Sequence, residues 1–359
     1  MSTPPRPRTS VLPYSRTPVL SHFRTLALSH FRTVLALALT AASLACGGDP
    51  HGPPVRVTVP RASGLSAVAD SLGAREIIDS PGRFKLYARM QGAATKIKPG
   101  VYEFRRGTAW SGILQKLVSG DVVKVRVVIP EGWTLRQIAG RIAANTGMQP
   151  DSVFALLFDT AAARRHGVPG PTLEGYLYPA TYVFPMGTSV ETMAREMVRN
   201  YKGAWTPEMR QRAQALGMSE REAVTLASIV EREAKVWSER PTIAAVYHNR
   251  LKRGMRLQAD PTVQYALGVQ RARLLYRDIR SVGENPYNTY THAGLPPGPI
   301  ASPSKGAIEA TLSPAAADYL YFVARPNGTH VFTRTLAEHN AAKRAAQREA
   351  RAAARAPGR

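Results

Sequence analysis

The stretch Leu-Ala-Ser-Ile-Val-Glu-Arg-Glu-Ala (226–234) sets a carboxylic acid, Glu231, directly after apolar residues, with Glu233 two positions on. A carboxyl held against apolar surface keeps its proton to a higher pH than one in water, which is what a general acid needs near neutrality. The spacing predicts a helix. Ser219 and Glu222 make a capping box, and Ala223, Val224, Leu226, Ala227, Val230 and Ala234 follow at helical intervals. Glu231 falls on one edge of that stripe and Glu233 on the other, so periodicity does not choose between them.

Other chemistries find less support. The eight histidines are scattered, and none has a partner at ligand spacing, so neither a metal nor another cofactor is expected. His248 and His292 are the two nearest the glutamates in the candidate region. There is no Gly-x-Ser-x-Gly elbow and no glycine-rich phosphate loop. A carboxyl that donates a proton to a glycosidic oxygen and later takes one back is the minimum for cleaving a sugar chain.

The 359 residues, 44% of them hydrophobic, leave room for about two domains with a real core. The net charge of +23 is unevenly placed: residues 1–56 hold six arginines against one aspartate, and 337–359 hold six basic against two acidic residues, leaving +14 between. That surplus suits a polyanion or an anionic membrane face. With no arginine-rich recognition helix and no paired Cys/His finger, a nucleic-acid partner is not expected.

Arg24 and Arg32 precede an apolar run of 14 residues, 33–46, which is shorter than the ~20 that span a bilayer and has the length of a signal-peptide core. It ends at Cys46, the single cysteine of the chain. Ser43-Leu44-Ala45-Cys46 followed by Gly47-Gly48 resembles a bacterial lipoprotein processing site, although Leu44 lies two residues before the cysteine instead of three. The expectation is lipidation at Cys46, with an uncleaved membrane anchor or a free periplasmic form as the alternatives. All three put the working part outside the cytoplasm. Leu-Ser-His-Phe-Arg-Thr occurs at both 20–25 and 28–33, in Pro/Ser/Arg-rich sequence with nothing able to fold alone.

Past a Gly/Pro linker, one pattern occurs twice. Val57-Thr-Val-Pro60 followed by Leu65, Val68, Ala69 and Leu72 returns 70 residues later as Val127-Val-Ile-Pro130 followed by Leu135, Ile138, Ala139 and Ile142. Each copy reads as a strand, a turn at proline and an amphipathic helix. Gly132-Trp-Thr-Leu-Arg-Gln-Ile-Ala resembles a LysM-like carbohydrate-binding unit, against a plain packing unit with Trp133 in its core. Between the copies the sequence predicts helices near 84–90 and 110–117 and a strand at 101–104. Later helices are expected near 190–201, 207–216, 220–236 and 242–252. The aromatic segment 173–184, carrying Glu174 and Tyr176, reads as extended. A Pro/Gly/Asn/Tyr-rich region, 254–303, reads as loop lining a site. A hairpin around Asn327-Gly328 and an Ala/Arg helix follow.

Several separated motifs resemble the endolytic murein transglycosylases (MltG, or YceG-like, proteins) over roughly residues 57–340. They are Leu-Glu-Gly-Tyr-Leu-Tyr-Pro-Ala-Thr-Tyr (173–182), Leu-Ala-Ser-Ile-Val-Glu-Arg-Glu (226–233), Tyr247-His-Asn-Arg-Leu251 with Gly-Met-Arg-Leu-Gln-Ala-Asp-Pro-Thr-Val (254–263), Tyr287-Asn-Thr-Tyr with Gly-Leu-Pro-Pro-Gly-Pro-Ile-Ala-Ser-Pro (294–303), and Tyr-Leu-Tyr-Phe-Val-Ala (319–324).

The resemblance implies an α+β protein in which a LysM-like small β/α domain precedes an α+β YceG-like catalytic domain. The expected division is a signal or anchor segment at 1–46, a linker at 47–56, the LysM-like domain at 57–150, the catalytic domain at 151–340 and a basic tail at 341–359. It implies cutting of nascent peptidoglycan glycan strands between N-acetylmuramic acid and N-acetylglucosamine without water, leaving a 1,6-anhydro end and ending polymerisation. It assigns the acid role to Glu231. The substrate itself supplies the nucleophile, its C6 hydroxyl, so no second carboxylate is needed. Asn288, Tyr290, Gln258, Tyr176 and Glu174 are the candidates for holding the sugar. Plain alternatives are a turn for Asn288, the core for Tyr176, a helix N-cap for Asp260 and a first-turn carboxylate for Glu239. Glycan strands, the membrane through the N-terminal anchor and a peptidoglycan synthase are the expected partners. A non-catalytic wall-binding lipoprotein and a hydrolytic muramidase are the competing functions.

Overall fold

One arrangement of strands and helices is built twice along the chain in the computed structural model, which describes residues 50–271 and 274–355. The first copy runs β1 (His51–Val59), α1 (Leu65–Ala74), α2 (Pro81–Met90), β2 (Gly100–Arg106) and α3 (Trp110–Ser119). The second runs β3 (Lys124–Ile129), α4 (Leu135–Thr146), α5 (Pro150–Phe158), a further short helix α6 (Thr160–His166), β4 (Ala180–Pro185) and α7 (Val190–Ala204). Each copy pairs its two strands antiparallel. Val57 stands opposite Tyr102, and Val127 opposite Tyr182.

The repetition therefore goes beyond the strand–helix pattern legible at an offset of 70. From the second strand onward the offset becomes 80, relating Tyr102, Phe104, Trp110, Ile113 and Leu117 to Tyr182, Phe184, Val190, Met193 and Met197, all buried. In each copy a tyrosine and a phenylalanine two residues apart stack, at 6.0 and 5.8 Å between ring centroids. The tyrosine hydroxyl of each donates to the carbonyl four residues back, Lys98 or Tyr178. Two-residue spacing puts both rings on one face of the strand, which is why the pair covers the same core in both places.

The chain divides into two compact units after Val122. The expected 57–150 domain therefore straddles the division, because β3 finds its partner strand in β4, downstream. The expected linker is also shorter than 47–56, since β1 already begins at His51. The first unit closes on its own core of Val57, Leu72, Phe84, Tyr102, Ile113 and their neighbours.

In the second unit the repeated frame is followed by α8 (Pro207–Ala215), α9 (Glu220–Glu233), a 3-10 turn (Trp237–Glu239), α10 (Arg240–Lys252), α11 (Asp260–Leu267), α12 (Tyr276–Ser281), α13 (Lys305–Leu312), the hairpin β5 (Tyr321–Ala324) and β6 (His330–Thr333), and α14 (Leu336–Arg355). The region expected to be loop at 254–303 thus holds two short helices. The segment 173–178 forms turns, and only β4 beyond it is extended, because Gly175 adopts φ +82° and breaks the run. The Ala/Arg tail is the end of a longer helix that starts at Leu336 and joins the hairpin through the Arg325–Glu349 ion pair.

Helix α9 sits at the centre of the second unit. Its Ser219–Glu222 capping box forms as the sequence predicts. The expected one-sided stripe does not: every residue from Ala223 to Val230 is buried. Ala223, Val224 and Ala227 join the core of the repeated frame, while Leu226, Ile229 and Val230 join a second core with Tyr247, Leu257 and Ile300. A helix buried all round has no wet face, so its polar residues must lie at its ends or be fully partnered. Ser228 meets that demand inside the helix, donating to the Thr225 carbonyl and accepting from the Ile300 N–H, whereas the buried Thr225 hydroxyl has no hydrogen-bond partner. Among the described residues no helix is long and apolar enough to cross a membrane. The apolar run and Cys46 lie outside the described residues.

Candidate active site

Helix α9 delivers Glu231 and Glu233 from its last turn, and the chain meets them differently. Glu231 Oε1 accepts from Arg240 Nη2 at 2.7 Å. Its Oε2 accepts from the Ser304 N–H at 3.0 Å and from the Ser304 hydroxyl. Arg240 also donates to Ser304 Oγ at 3.0 Å, and Ser304 Oγ caps α13 by accepting from the Ala307 N–H. Arg240 and Ser304 are buried, and the guanidinium lies over the Trp237 ring. Every partner of Glu231 is a donor, and both of its carboxyl oxygens are engaged within the protein. This departs from the expectation that Glu231 is a free acid. The carboxylate ties together the end of α9 and the starts of α10 and α13.

Glu233 points elsewhere. It lines a cavity of about 690 Å³ together with Tyr247, Gln258, Asp260, Tyr290 and His330. Its Oε1 accepts from the Tyr247 hydroxyl at 3.0 Å. Burial, and then the charge of nearby Asp260, push the Glu233 carboxyl up to about 7, against the Tyr247 hydrogen bond and the Arg250 and Arg232 cations. At that value it holds its proton about half the time at neutral pH, which suits a group that must both give and take one.

The opposite wall is built from the loop residues. Tyr290 donates its hydroxyl to Asp260 Oδ1 at 2.6 Å. Asp260 is the first residue of α11, with Ala259 at the cap position, so the expected N-cap role is not the one it plays. Gln258 adopts φ +49°, a left-handed conformation that costs a non-glycine residue energy and recurs at functional sites. Its N–H donates to the Thr289 carbonyl at 3.1 Å, and the Ala259 N–H to Thr289 Oγ1 at 3.0 Å.

The structure separates the five expected sugar-holding residues. Gln258 and Tyr290 reach the Glu233 cavity. Asn288 does not: it is fully buried, donates to the Ile279 and Val282 carbonyls and accepts from the Tyr290 N–H at 3.0 Å, so its part is to shape the turn that presents Tyr290. Tyr176 is also core, packed edge-on to Tyr201 at 5.1 Å between centroids. Glu174 is buried in a different place, where the Leu135 N–H at the start of α4 donates to both its oxygens at 2.9 and 3.0 Å. Burial, opposed by hydrogen bonds from Leu135, Tyr265 and Gly175, pushes the Glu174 carboxyl up to about 8. Glu239 accepts from the His330 N–H and is hydrogen-bonded to its ring at 2.7 Å, fastening the hairpin to the turn before α10. Trp133 is half-buried against the core, with the Arg141 guanidinium 4.9 Å from its ring centroid.

Sequence reasoning missed Arg240 and Ser304. The one local signal was the Ser-Lys-Gly-Ala start of a helix at Ser304. Nothing in the sequence near position 231 names a partner 73 residues away.

A carboxyl raised toward neutrality at the wall of a cavity, in a chain of small sheets and packed helices, defines an α+β protein with a site suited to proton transfer. The family model described as YceG-like family matches residues 57–345, and the chain belongs to that family. It is 38% identical over 308 residues to the endolytic murein transglycosylase of Bacillus subtilis (strain 168), covering 80% of this chain and 84% of that protein. It is 30% identical over 299 residues to the protein of the same name from Streptococcus pneumoniae, covering 75% of this chain and 54% of that longer one. The crystal structure of a YceG-like protein from Listeria monocytogenes superposes with a TM-score of 0.56 at 34% identity, over 81% of this chain and all of that one.

Proposed function

We propose that the chain is an endolytic peptidoglycan lytic transglycosylase, a lyase, and that Glu233 is its proton donor and acceptor in place of Glu231. The observation that carries the assignment is the Glu233 carboxyl, raised to about 7 at the wall of the 690 Å³ cavity, while Glu231 is saturated by Arg240 and Ser304. The names of the relatives support the reaction class.

In the first step protonated Glu233 gives its proton to the oxygen between N-acetylmuramic acid and N-acetylglucosamine as the C1–O bond breaks. In the second, the muramyl C6 oxygen bonds to C1 and its proton passes to the Glu233 carboxylate. The products are an N-acetylglucosamine hydroxyl and a 1,6-anhydro end, and Glu233 is restored. Tyr290, Gln258 and Tyr247 hold the sugar and the carboxyl in register, an effect worth several kcal/mol when it excludes water and fixes the reacting atoms. Asp260 lends negative charge to the cationic transition state. The same cut, made on nascent strands, ends their polymerisation.

The first unit is proposed as the LysM-like module that holds the strand, and Cys46 as the lipid attachment site that keeps the enzyme on the extracytoplasmic face of a membrane, beside a synthase. The proximity of Asp260 to Glu233 favours one second reading, a muramidase in which Asp260 activates water. Mass spectrometry of products from purified peptidoglycan separates them. Anhydro ends, about 18 Da lighter than reducing ends, support the lyase. Loss of these products in Glu233→Gln but not in folded Glu231→Gln supports the assignment. Reducing ends, or activity surviving in Glu233→Gln, count against it.

A further inference from the structure

Outside the Glu233 cavity, the second unit holds another, half-open space of about 270 Å³, between the start of α4, the end of α5 and one face of α11. Phe154 and Phe158 lie on one side, nearly parallel, at 24° and 5.0 Å between centroids. The Arg136 guanidinium covers Phe154, 4.1 Å from its centroid, whereas Phe158 is 43% exposed. Gln137, Glu174, Gln264 and Tyr265 form the polar lining. Glu174 has no cation among its hydrogen-bonding partners, which are the Leu135 and Gly175 N–H groups and Tyr265. Its tendency to stay protonated adds a neutral donor beside the two amides, and the cations Arg136 and Arg232 border the same space.

We infer that this pocket is a second saccharide subsite, which binds one N-acetylhexosamine ring of the glycan strand away from the bond that is cut. A hexopyranose has an apolar C–H face and a rim of hydroxyl and acetamido groups. An aromatic face beside planar amide and carboxyl side chains matches both. An acyl chain would offer nothing to the amide N–H groups of Gln137 and Gln264, whose carbonyl oxygens alone are engaged, by Thr134 and the Arg271 N–H. The two cavities also share a wall: Arg232 and Pro261 line this pocket, and their chain neighbours Glu233 and Asp260 line the other. A strand crossing that wall has a ring to hold on one side and a bond to cut on the other. This rests on the glycan-cutting reading and adds to it the means of gripping the interior of a strand.

The test is calorimetric titration of the full-length protein carrying Glu233→Gln, which prevents turnover, with the β-1,4 tetramer of N-acetylglucosamine. The tetramer should bind. Adding Phe158→Ala should weaken binding about tenfold, and Phe158→Trp should bind within about threefold of the parent, because a larger ring keeps the stacking face. Glu174→Gln should also bind within about threefold, since the amide still donates and accepts. Unchanged affinity in Phe158→Ala, or no binding by the parent up to millimolar tetramer, overturns the subsite. The product analysis is independent: Phe158-dependent binding with no anhydro ends leaves the subsite and removes the lyase, and anhydro ends with Phe158-independent binding do the reverse.

Discussion

The last turn of α9 feeds two regions that share a helix and differ in almost everything else. Around Glu231 the chain supplies a buried arginine and a capping serine, and the carboxylate becomes part of the scaffold. Around Glu233 it supplies a tyrosine, a second carboxylate and open space, and the carboxyl keeps its proton into the neutral range. Burial alone does not make an acid. What distinguishes the regions is the company each keeps: Glu231 meets an arginine and a serine at hydrogen-bond distance, whereas Glu233 meets a tyrosine and the like charge of Asp260, which together with burial raises its pKa.

The difference can be broken most severely at Glu233. Glu233→Gln should lower turnover of peptidoglycan by about 10³-fold or more while leaving the melting temperature near that of the wild type, because the amide keeps the Tyr247 hydrogen bond and only the transferable proton is lost. Chromatography of anhydro products with parallel melting curves checks both halves.

Glu231→Gln should do the opposite. Leaving Arg240 buried without its counter-charge should cost about 3–5 kcal/mol of stability, read from urea unfolding, while the folded fraction retains much of its activity. An unchanged unfolding midpoint would show that the clamp is not structural.

Glu174 tests the same contrast through pH. Its pKa is raised when folded, so its contribution to stability is present below the ordinary carboxylate range and is lost as pH rises toward about 8. Glu174→Gln should therefore flatten the fall in melting temperature between pH 5 and 8, a change of about 2–4 kcal/mol at the alkaline end. Glu233 adds a smaller loss of the same sign ending near 7. The mildest expectation concerns Asp260→Asn. Removing that charge should let Glu233 ionise more readily and move the alkaline limb of the pH–rate profile to lower pH, with the fold intact.

Much of this was legible in the residues. The repeated apolar spacing announced two strand–helix units, and the buried positions of both are those the spacing named. The capping box fixed where α9 begins. The second half of the repeat escaped notice because the offset changes from 70 to 80 where α6 and its flanking turns are inserted. The difference in surroundings between Glu231 and Glu233 was not legible at all. It depends on Arg240 and Ser304, which arrive from other elements, and a carboxylate's partner is a fact of tertiary packing. Asn288 and Tyr176 stood open between two readings for a related reason: polar and aromatic side chains suited to a sugar are equally suited to a turn and a core, and burial favours the latter for these two.

Helix α9, dry on every side from Ala223 to Val230, sets how this site can be controlled. Amides in its middle should exchange with deuterium only when the whole second unit opens, at the full free energy of unfolding. Glu233 therefore sits three residues beyond the most deeply buried stretch of backbone in α9. Whatever gates access to it must act from the other wall, where Tyr290 and Gln258 are carried on loops that open at far lower cost.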